Sequence, residues 1–459
     1  MAYQPPANGW RTFLILWVTQ SVSVFGSALT LFAVTVWLTQ VKYAGPEQQR
    51  QLALAISAVS IAHSLPILLA TPLAGAWADR HDRKLTMMAM DFASGCISLA
   101  LLVTIAAGNV QMWLLLTLVT LASLCSSFHF SSFDSSYAMI VPEEHLARAN
   151  GMMQTIFDLS GIIAPAIAAG IIALPALARA GLIPGSAGVF LSGLSSGMPL
   201  AIAIDAVTFF LAAFSLMFLY IPSPKRQDLG DGGRPVKSLW ADIREGGMFV
   251  WLRRPLLWLL VSFTVANLLG SPIFVLPPLV IKFSLSADWL SRGFGFEAAL
   301  ALMNSFGSLG GVLGGIAVST WGGLRRRRVY GVLIPMIIAA AAEVAFGLST
   351  MLYLSVTMFF IVGLMIPIMN AHSQTIWQTQ TPRELQGRVF ATRRLIARFT
   401  LPVSTALAGW VGGNFNPGLV LAAMGALFLV FSIAQLFNRT LLLVEDKDYM
   451  DHAASAASK

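Results

Sequence analysis

The sequence predicts an all-α membrane protein of twelve transmembrane helices, arranged as two similar bundles of six. Hydrophobic residues make up 56% of the 459-residue chain and charged residues only 11%, whereas soluble domains carry about 25% charged residues. Apolar runs long enough to cross a bilayer, which takes roughly 17–25 residues, recur along the whole chain. The second half also repeats a motif of the first half at a fixed offset.

Each apolar run is predicted to form one transmembrane helix, and the helices are numbered 1 to 12 in chain order. The runs lie at residues 12–40, 52–78, 84–107, 111–140, 147–175, 197–221, 256–283, 297–321, 329–350, 353–379, 386–412 and 416–440. An even number of spans places both termini on the same side of the membrane.

The distribution of lysine and arginine decides which side that is, because these residues are retained in cytoplasmic loops. With both termini in the cytoplasm, only five of the 29 basic residues lie outside. These five are Lys42, Arg50, Arg179, Lys282 and Arg292. The same bias explains the net charge of +8 without a nucleic-acid partner. We expect a multi-pass protein of a bacterial cytoplasmic (inner) membrane.

A long polar segment at residues 222–255 separates six apolar runs from six. We therefore expect an N-terminal bundle at 1–221, a cytoplasmic linker at 222–255, a C-terminal bundle at 256–440 and a cytoplasmic tail at 441–459. Within the linker, residues 238–252 have the pattern of a short amphipathic helix on the inner leaflet. A plain linker is the alternative.

The start of helix 5 is repeated at the start of helix 11, 240 residues later. Proline suits the first helical position, glutamate favours the positive helix start, and arginine four residues after glutamate can pair with it. Capping explains each copy singly but not the recurrence. The two copies read Pro142-x-Glu144-x-x-x-Arg148 and Pro382-x-Glu384-x-x-x-Arg388.

The segment Gly75-Ala-Trp-Ala-Asp79-Arg80-His81-Asp82-Arg83-Lys84 joins helices 2 and 3. It resembles the loop motif between helices 2 and 3 of the major facilitator superfamily (MFS), with Asp82 in place of the second glycine. Gly387-Arg-Val-Phe-Ala-Thr-Arg-Arg394 and Ile204-Asp205-Ala-Val-Thr-Phe-Phe are similar to the branch that contains bacterial macrolide and siderophore exporters. The resemblance implies the MFS fold, with two parallel six-helix repeats, and secondary transport by alternating access.

The resemblance also implies an inner gate of charged residues at the cytoplasmic ends of the helices. In related transporters an acid at the level of Asp134 pairs with the loop arginine, here Arg83, and the acid at Asp79 faces the start of helix 11. The expected gate consists of Asp79, Arg80, Arg83, Asp134, Glu144, Arg148, Glu384 and Arg388.

Acids inside the membrane are candidates for proton coupling, because a charge there costs several kcal/mol and is seldom present without a role. Asp158, near the middle of helix 5, is our first candidate. The further candidates are Asp134, Asp91 and Glu343. The alternative for each is an acid held by hydroxyls or by a basic group of a neighbouring helix, and for Asp205 we favour that interpretation.

Polar stripes on helices 1, 4, 7 and 10 predict a substrate cavity, since these helices line the cavity in the superfamily. Such stripes can also bind helices to each other. Arg398, which shares a helix face with Arg394, either pairs with an acid or meets an anionic part of the substrate. The predicted cavity residues are Gln20, Ser27, Ser127, Phe130, Asn267, Asn370, Gln374, Trp377 and Arg398.

These features predict a secondary exporter of bulky amphipathic molecules, drug-like or siderophore-like, driven by proton influx and surrounded by membrane lipids. A flippase for lysophospholipids or other lipids is the alternative. Glu143-Glu144-x-x-x-Arg148 matches an acidic signature of a membrane protease family, but it lies at a loop, so we do not expect an enzyme. We expect a monomer, without cofactor or metal.

Overall fold

The computed structural model describes residues 8–108, 110–221, 236–382, 385–446 and residue 449. Over these residues, every regular element is helical. Twelve of the helices are long and apolar enough to cross a membrane. The chain is therefore a multi-pass membrane protein with the predicted number of spans.

The spanning helices are labelled α1 to α12 in chain order. Their bounds are α1 Gly9–Trp37, α2 Gln49–Arg80, α3 Arg83–Ala106, α4 Met112–Ile140, α5 Leu146–Arg179, α6 Met198–Met217, α7 Arg254–Gly270, α8 Phe296–Trp321, α9 Arg328–Leu348, α10 Leu352–Gln380, α11 Gln386–Asn414 and α12 Pro417–Gln435.

Shorter helical segments connect and flank the spans. They are Leu38–Lys42, Pro46–Gln48, Glu143–His145, Gly185–Ser192, Val236–Leu252, Ser271–Phe274, Pro277–Phe283, Ser286–Ser291 and Arg439–Leu442. The segment Val236–Leu252, which we name the linker helix, is the helix predicted within the linker.

The seventh span is shorter than the sequence predicted. The prediction covered 256–283, whereas α7 ends at Gly270 and a separate short helix covers Pro277–Phe283. Proline has no backbone N–H and its ring clashes with the preceding turn, so it interrupts a helical hydrogen-bond ladder. Pro272 and Pro278 lie in this region, and they explain why one apolar run became two helical pieces.

The chain separates into two compact units. The first unit contains Met1–Gln48, Ala55–Asp228 and Gly295–Ser305. The second unit contains Gln49–Leu54, Leu229–Phe294 and Phe306–Lys459.

Each unit has an apolar core at the same ends of its helices. In the first unit, the core packs the starts of α1 and α3 against the end of α4, through Phe13, Met87 and Ile140. In the second unit, it packs the start of α7 against the end of α10, through Leu256 and Ile376. Successive helices run in opposite directions, so a start and the next helix's end lie at one level.

Glycines allow α8 and α10 to approach closely. A methyl group added at Gly310 would overlap the backbone carbonyl oxygen of Phe360, and one added at Gly314 would overlap that of Leu364. Gly311, on another side of α8, has open space around it. Small residues allow close backbone contact between membrane helices, and here that contact depends on individual glycines.

We predict that Gly310→Ala lowers the free energy of unfolding by about 1–3 kcal/mol, because two backbones must separate to admit the methyl group. Gly311→Ala is the matched control, and its stability should be unchanged. Thermal unfolding of the two purified variants in one detergent tests this. Equal midpoints for both variants would contradict the close approach.

An ion pair outside the spans anchors the start of α10. The Asp288 carboxylate accepts hydrogen bonds from Arg292 Nε at 2.9 Å and Nη2 at 3.1 Å. It also accepts a hydrogen bond from the backbone N–H of Leu352 at 2.8 Å. Asp288 therefore caps the start of α10, because the side chain of the N-cap residue, Met351, makes no capping hydrogen bond. The Arg292 guanidinium hydrogen bonds and the Leu352 amide hold the pKa of Asp288 below its ordinary value.

We predict that Asp288→Asn lowers the thermal midpoint at neutral pH and that the difference from wild type disappears in acid. A lowered folded-state pKa adds stability above the unfolded value, about 3.9, and this stability is lost as the pH falls through the folded value. Glu47→Gln, at an exposed position, is the control. A midpoint difference that persists at every pH would exclude the ionised pair as its source.

Candidate functional site

The turn between α2 and α3 is closed by Asp82, the residue that departs from the family motif. Asp82 is the N-cap of α3, and its Oδ1 accepts the backbone N–H of Leu85 at 2.9 Å. Aspartate at an N-cap satisfies a helix donor that would otherwise be unpaired. The departure therefore replaces a flexible turn residue with a helix cap.

Arg83 is buried at the start of α3 and is held mainly by backbone oxygens. Its Nε donates to the carbonyl of Ala78 at 2.9 Å, and its Nη1 donates to the carbonyl of Ser135 at 3.0 Å. Its Nη2 lies 3.6 Å from Oδ1 of Asp79, which is largely exposed. The guanidinium thus joins the ends of α2 and α4.

The pairing of Arg83 with Asp134, which the resemblance implies for the outward-facing state, is not formed in this structure. The Asp134 side chain is exposed on α4, while Arg83 binds the carbonyl of the next residue, Ser135. Successive residues of a helix project about 100° apart, so a helix can offer its backbone to a group that its acid does not reach. Arg80, also predicted at the gate, is exposed.

The repeated motif does not form the predicted Glu-to-Arg pair in its first copy. Glu144 lies in the turn before α5, with Oε1 at 3.6 Å from Nε2 of His145. Arg148 lies over the ring of Trp10, 5.3 Å from its centroid. Because α5 begins only at Leu146, Glu144 is not on the helix and the i,i+4 geometry does not apply.

In the second copy of the motif, Arg388 forms an ion pair with Glu245 of the linker helix. Glu384 lies outside the described residues. A methyl group on Gly246 would meet the carbonyl oxygen of Arg388 and the hydroxyl of Thr392. The linker helix therefore packs directly on the start of α11, a contact that the sequence did not predict.

Asp91 forms the centre of a buried polar cluster in the first unit. Its side chain on α3 is 2% exposed, and Oδ2 accepts a hydrogen bond from Nε2 of Gln20 on α1 at 3.2 Å. Nε2 of His129 on α4 lies 3.3 Å from Oδ1. That nitrogen is not in hydrogen-bond geometry, so the contact is an electrostatic approach. A carboxylate and an imidazole thus meet away from water.

A second buried acid of the first unit, Asp205 on α6, is held by hydroxyl groups. It accepts hydrogen bonds from Thr30 and Ser98 at 2.8 Å each, and from Ser27 at 3.3 Å. A methyl group on Gly26 would come within 2.9 Å of its Oδ1. Asp205 therefore joins α1, α3 and α6 by hydrogen bonds, and Ser27, predicted to line the cavity, takes part in this junction.

The remaining acidic candidates lie in different surroundings. Asp158 on α5 is half-buried. Glu343 on α9 is 2% exposed, packs against positions Gly270 and Gly425, and its Oε1 has no hydrogen-bond partner among the described residues. Asp91, by contrast, lies directly against a second titratable side chain, His129.

In the second unit, Arg393 lies among the predicted cavity residues of α10. Its Nη1 donates to Oε1 of Gln374 at 2.8 Å, and its guanidinium lies 5.4 Å from the ring of Trp377 and 5.9 Å from that of Phe263. From the sequence we singled out Arg394 and Arg398 and predicted no role for Arg393. The i,i+4 spacing predicts that Arg394 and Arg398 share a helix face. The contact of Arg393 with α10 depends on how the helices pack.

Three predicted cavity residues do not line an open wall in this structure. Gln20 and Trp377 are 1% and 0% exposed, and Ser127 is 5% exposed. Gln20 is turned toward Asp91, and Trp377 belongs to the apolar core of the second unit. A side chain enclosed by neighbouring helices contributes to packing, so these residues fit the alternative that polar stripes bind helices together.

The other predicted cavity residues keep some exposed surface. Asn370 and Arg398 are exposed, while Phe130, Asn267 and Gln374 are half-buried. Asn267 on α7 also donates to the carbonyl of Ala397 on α11 at 2.9 Å.

Twelve helices that are long and apolar enough to cross a membrane, with acids, arginines and amides inside them, define a polytopic membrane protein. Comparison with known proteins gives the family: residues 16–401 match the model of the Major Facilitator Superfamily. The chain belongs to this superfamily.

Two relatives are similar over most of their length. The chain is 22% identical over 435 residues to macrolide efflux protein A of Streptococcus pyogenes, covering 93% of the chain and 96% of the relative. It is 28% identical over 401 residues to the multidrug efflux pump Tap of Mycolicibacterium fortuitum, covering 85% and 86%.

Solved structures share the fold. A bacterial homologue of the human lysosomal transporter Spinster, in its inward-facing occupied form, superposes with a TM-score of 0.62 at 15% identity, covering 99% of this chain and 98% of that one. The nucleoside transporter NupG superposes with a TM-score of 0.65 at 12% identity, covering 93% and 99%. At these identities the similarity concerns the fold alone.

Proposed function

We propose that this protein is a proton-coupled exporter of bulky amphipathic small molecules. In this proposal it works by alternating access in a bacterial cytoplasmic membrane, with both termini cytoplasmic. Membership of the superfamily supports transport, and relatives named for macrolide and multidrug efflux support export of large apolar molecules. The bias of basic residues supports the orientation.

The observation that carries proton coupling is the buried contact between Asp91 and His129. An ionised carboxylate enclosed in a membrane protein is stable only with partners that compensate its lost hydration. Gln20 supplies one hydrogen bond, and the imidazole of His129 can be neutral or charged. When the Asp91–His129 pair gains or loses one proton, its net charge changes by one unit. No other cation is needed nearby for this change.

Access to water in one conformation would allow this pair to couple proton exchange to transport. Asp91 is nearly inaccessible in the described state, so exchange of a proton requires the helices around it to move. Helices α1 and α4 contribute the two partners, and both also carry predicted cavity residues. A motion of these helices would link proton exchange to the shape of the substrate site. Asp158, Asp134 and Glu343 remain further candidates.

The gate assignment stays part of the proposal. Arg83 joins the ends of α2 and α4 through backbone oxygens, and Arg388 joins α11 to the linker helix. Opening of the cytoplasmic side would change these contacts. Asp79, Arg80, Glu144, Arg148 and Glu384 are proposed to contribute charge around them.

Transport in proteoliposomes tests the function directly. Purified protein is placed in vesicles with an acidic lumen, and uptake of a radiolabelled macrolide, of ethidium and of a fluorescent lysophospholipid is measured. We predict uptake of the macrolide or ethidium only while the proton gradient exists, and its loss on adding nigericin. Uptake that does not depend on the gradient would refute proton coupling, and uptake of the lysophospholipid alone would identify a flippase.

We predict that Asp91→Asn loses gradient-driven uptake while substrate exchange without a gradient continues, because the substrate site remains but the proton carrier is gone. Asp205→Asn is the matched control: its oxygen can still accept hydroxyl hydrogen bonds, so uptake should be retained. Gradient-driven uptake by Asp91→Asn equal to wild type would exclude Asp91, and the same loss in both variants would indicate damage to packing.

A further inference from the structure

Helix α11 carries two exposed arginines deep inside its span. Arg394 and Arg398 are one helical turn apart and both are exposed. Arg398 lies twelve residues after the first residue of α11, roughly 18 Å along the helix at 1.5 Å per residue. Among the described residues, neither side chain has a hydrogen bond or an ion pair.

One other side of α11 contacts α7. Ser404 Oγ donates to the carbonyl of Leu268 on α7 at 2.7 Å, and Asn267 of α7 reaches the carbonyl of Ala397. A different side exposes large apolar residues. These include Leu395, Ile396, Phe399, Val403 and Trp410, with exposures between 39% and 56%.

Successive residues of an α-helix are about 100° apart around its axis. The arginine pair therefore points about a third of a turn away from the centre of the apolar side. It points about a quarter of a turn away from the side that contacts α7. The apolar side suits lipid tails. A guanidinium without a partner does not, because a charge facing hydrocarbon is strongly unfavourable. Arg394 and Arg398 therefore lie on an aqueous side of α11.

Within the described part of the second unit, neither arginine has an acidic partner. Its intramembrane carboxylate in the described residues, Glu343, is 2% exposed and enclosed against Gly270 and Gly425. The neighbouring Arg393 adds positive charge and is occupied by Gln374. The side of α11 that carries Arg394 and Arg398 is consequently electropositive.

We infer that Arg394 and Arg398 bind the anionic head group of a transported amphiphile, a carboxylate or a phosphate. Each guanidinium group can donate two N–H groups to the oxygens of a carboxylate or a phosphate, and the two groups are one helical turn apart. The apolar tail of the ligand would extend beyond the head group along less polar surface. This inference rests on the proposed transport function and names a class of substrate for it.

Binding to the purified full-length protein tests the inference without requiring transport. The probes are dansylamino-undecanoic acid and its primary amide, which share tail and fluorophore and differ in charge. We expect the acid to bind about tenfold more tightly than the amide, equal to about 1.4 kcal/mol. High salt should reduce this preference, since it screens exposed charges.

Variants separate a binding role from a structural one. The double variant Arg394→Gln, Arg398→Gln should lose the preference for the acid and bind the amide as wild type does. The double variant Arg394→Lys, Arg398→Lys should retain most of the preference for the acid. Arg439→Gln, which removes an exposed charge outside the spans, is the control. A phosphate-headed probe, dansyl-labelled lysophosphatidic acid, distinguishes the two head groups by its relative affinity.

Equal affinity of wild type for acid and amide would overturn the inference, and so would equal weakening of both probes in the Gln variant. The outcome for the proposed function is separate. If wild type shows no preference for the acid but retains gradient-driven transport, only this inference is refuted. If wild type prefers the acid but transports nothing, only the exporter proposal is refuted.

Discussion

The interior of a bilayer does not hydrate charge, and this constraint governs where polar side chains lie in the molecule. A carboxylate or guanidinium inside a span must find donors or acceptors on neighbouring helices, or it must face water. Asp205 satisfies the first condition through three hydroxyls, and Asp91 through an amide beside an imidazole. Arg394 and Arg398 can satisfy only the second. The constraint thus separates residues that hold helices together from residues that meet solutes.

The two units differ in the charged residues that lie deep inside their spans. The described spans of the first unit contain Asp91, Asp134, Asp158 and Asp205, and hydroxyl or amide groups hold the most buried ones. The second unit places arginines on α11, where amide and aromatic groups accommodate Arg393. Proton exchange belongs to acids and histidine, whereas anion binding belongs to arginine. Our proposals therefore give different tasks to the two units, proton exchange to the first and anion binding to the second.

The spans and the family motif were predictable from sequence because the bilayer fixes the length and composition of a helix. Partners of individual side chains were not. The predicted Glu144–Arg148 pair presupposed a helix that begins only at Leu146, and the Arg83–Asp134 pair presupposed a rotation of α4 that presents its acid and not its backbone. Trp377 followed the stripe predicted for a cavity, yet it is buried in the core. Helix rotation and helix ends decide such contacts, and periodicity does not encode them.

The rotation of α11 shows how packing converts a sequence pattern into a site. Gly246 of the linker helix lets Arg388 and Thr392 approach it closely, and Asn267 and Leu268 of α7 bind α11 further along. These contacts fix the helix about its axis at several points along its length. With the axis fixed, the i,i+4 spacing of Arg394 and Arg398 directs both guanidinium groups to one side, away from the apolar residues. A linker helix at one end thereby helps to orient charges that lie deep in the span.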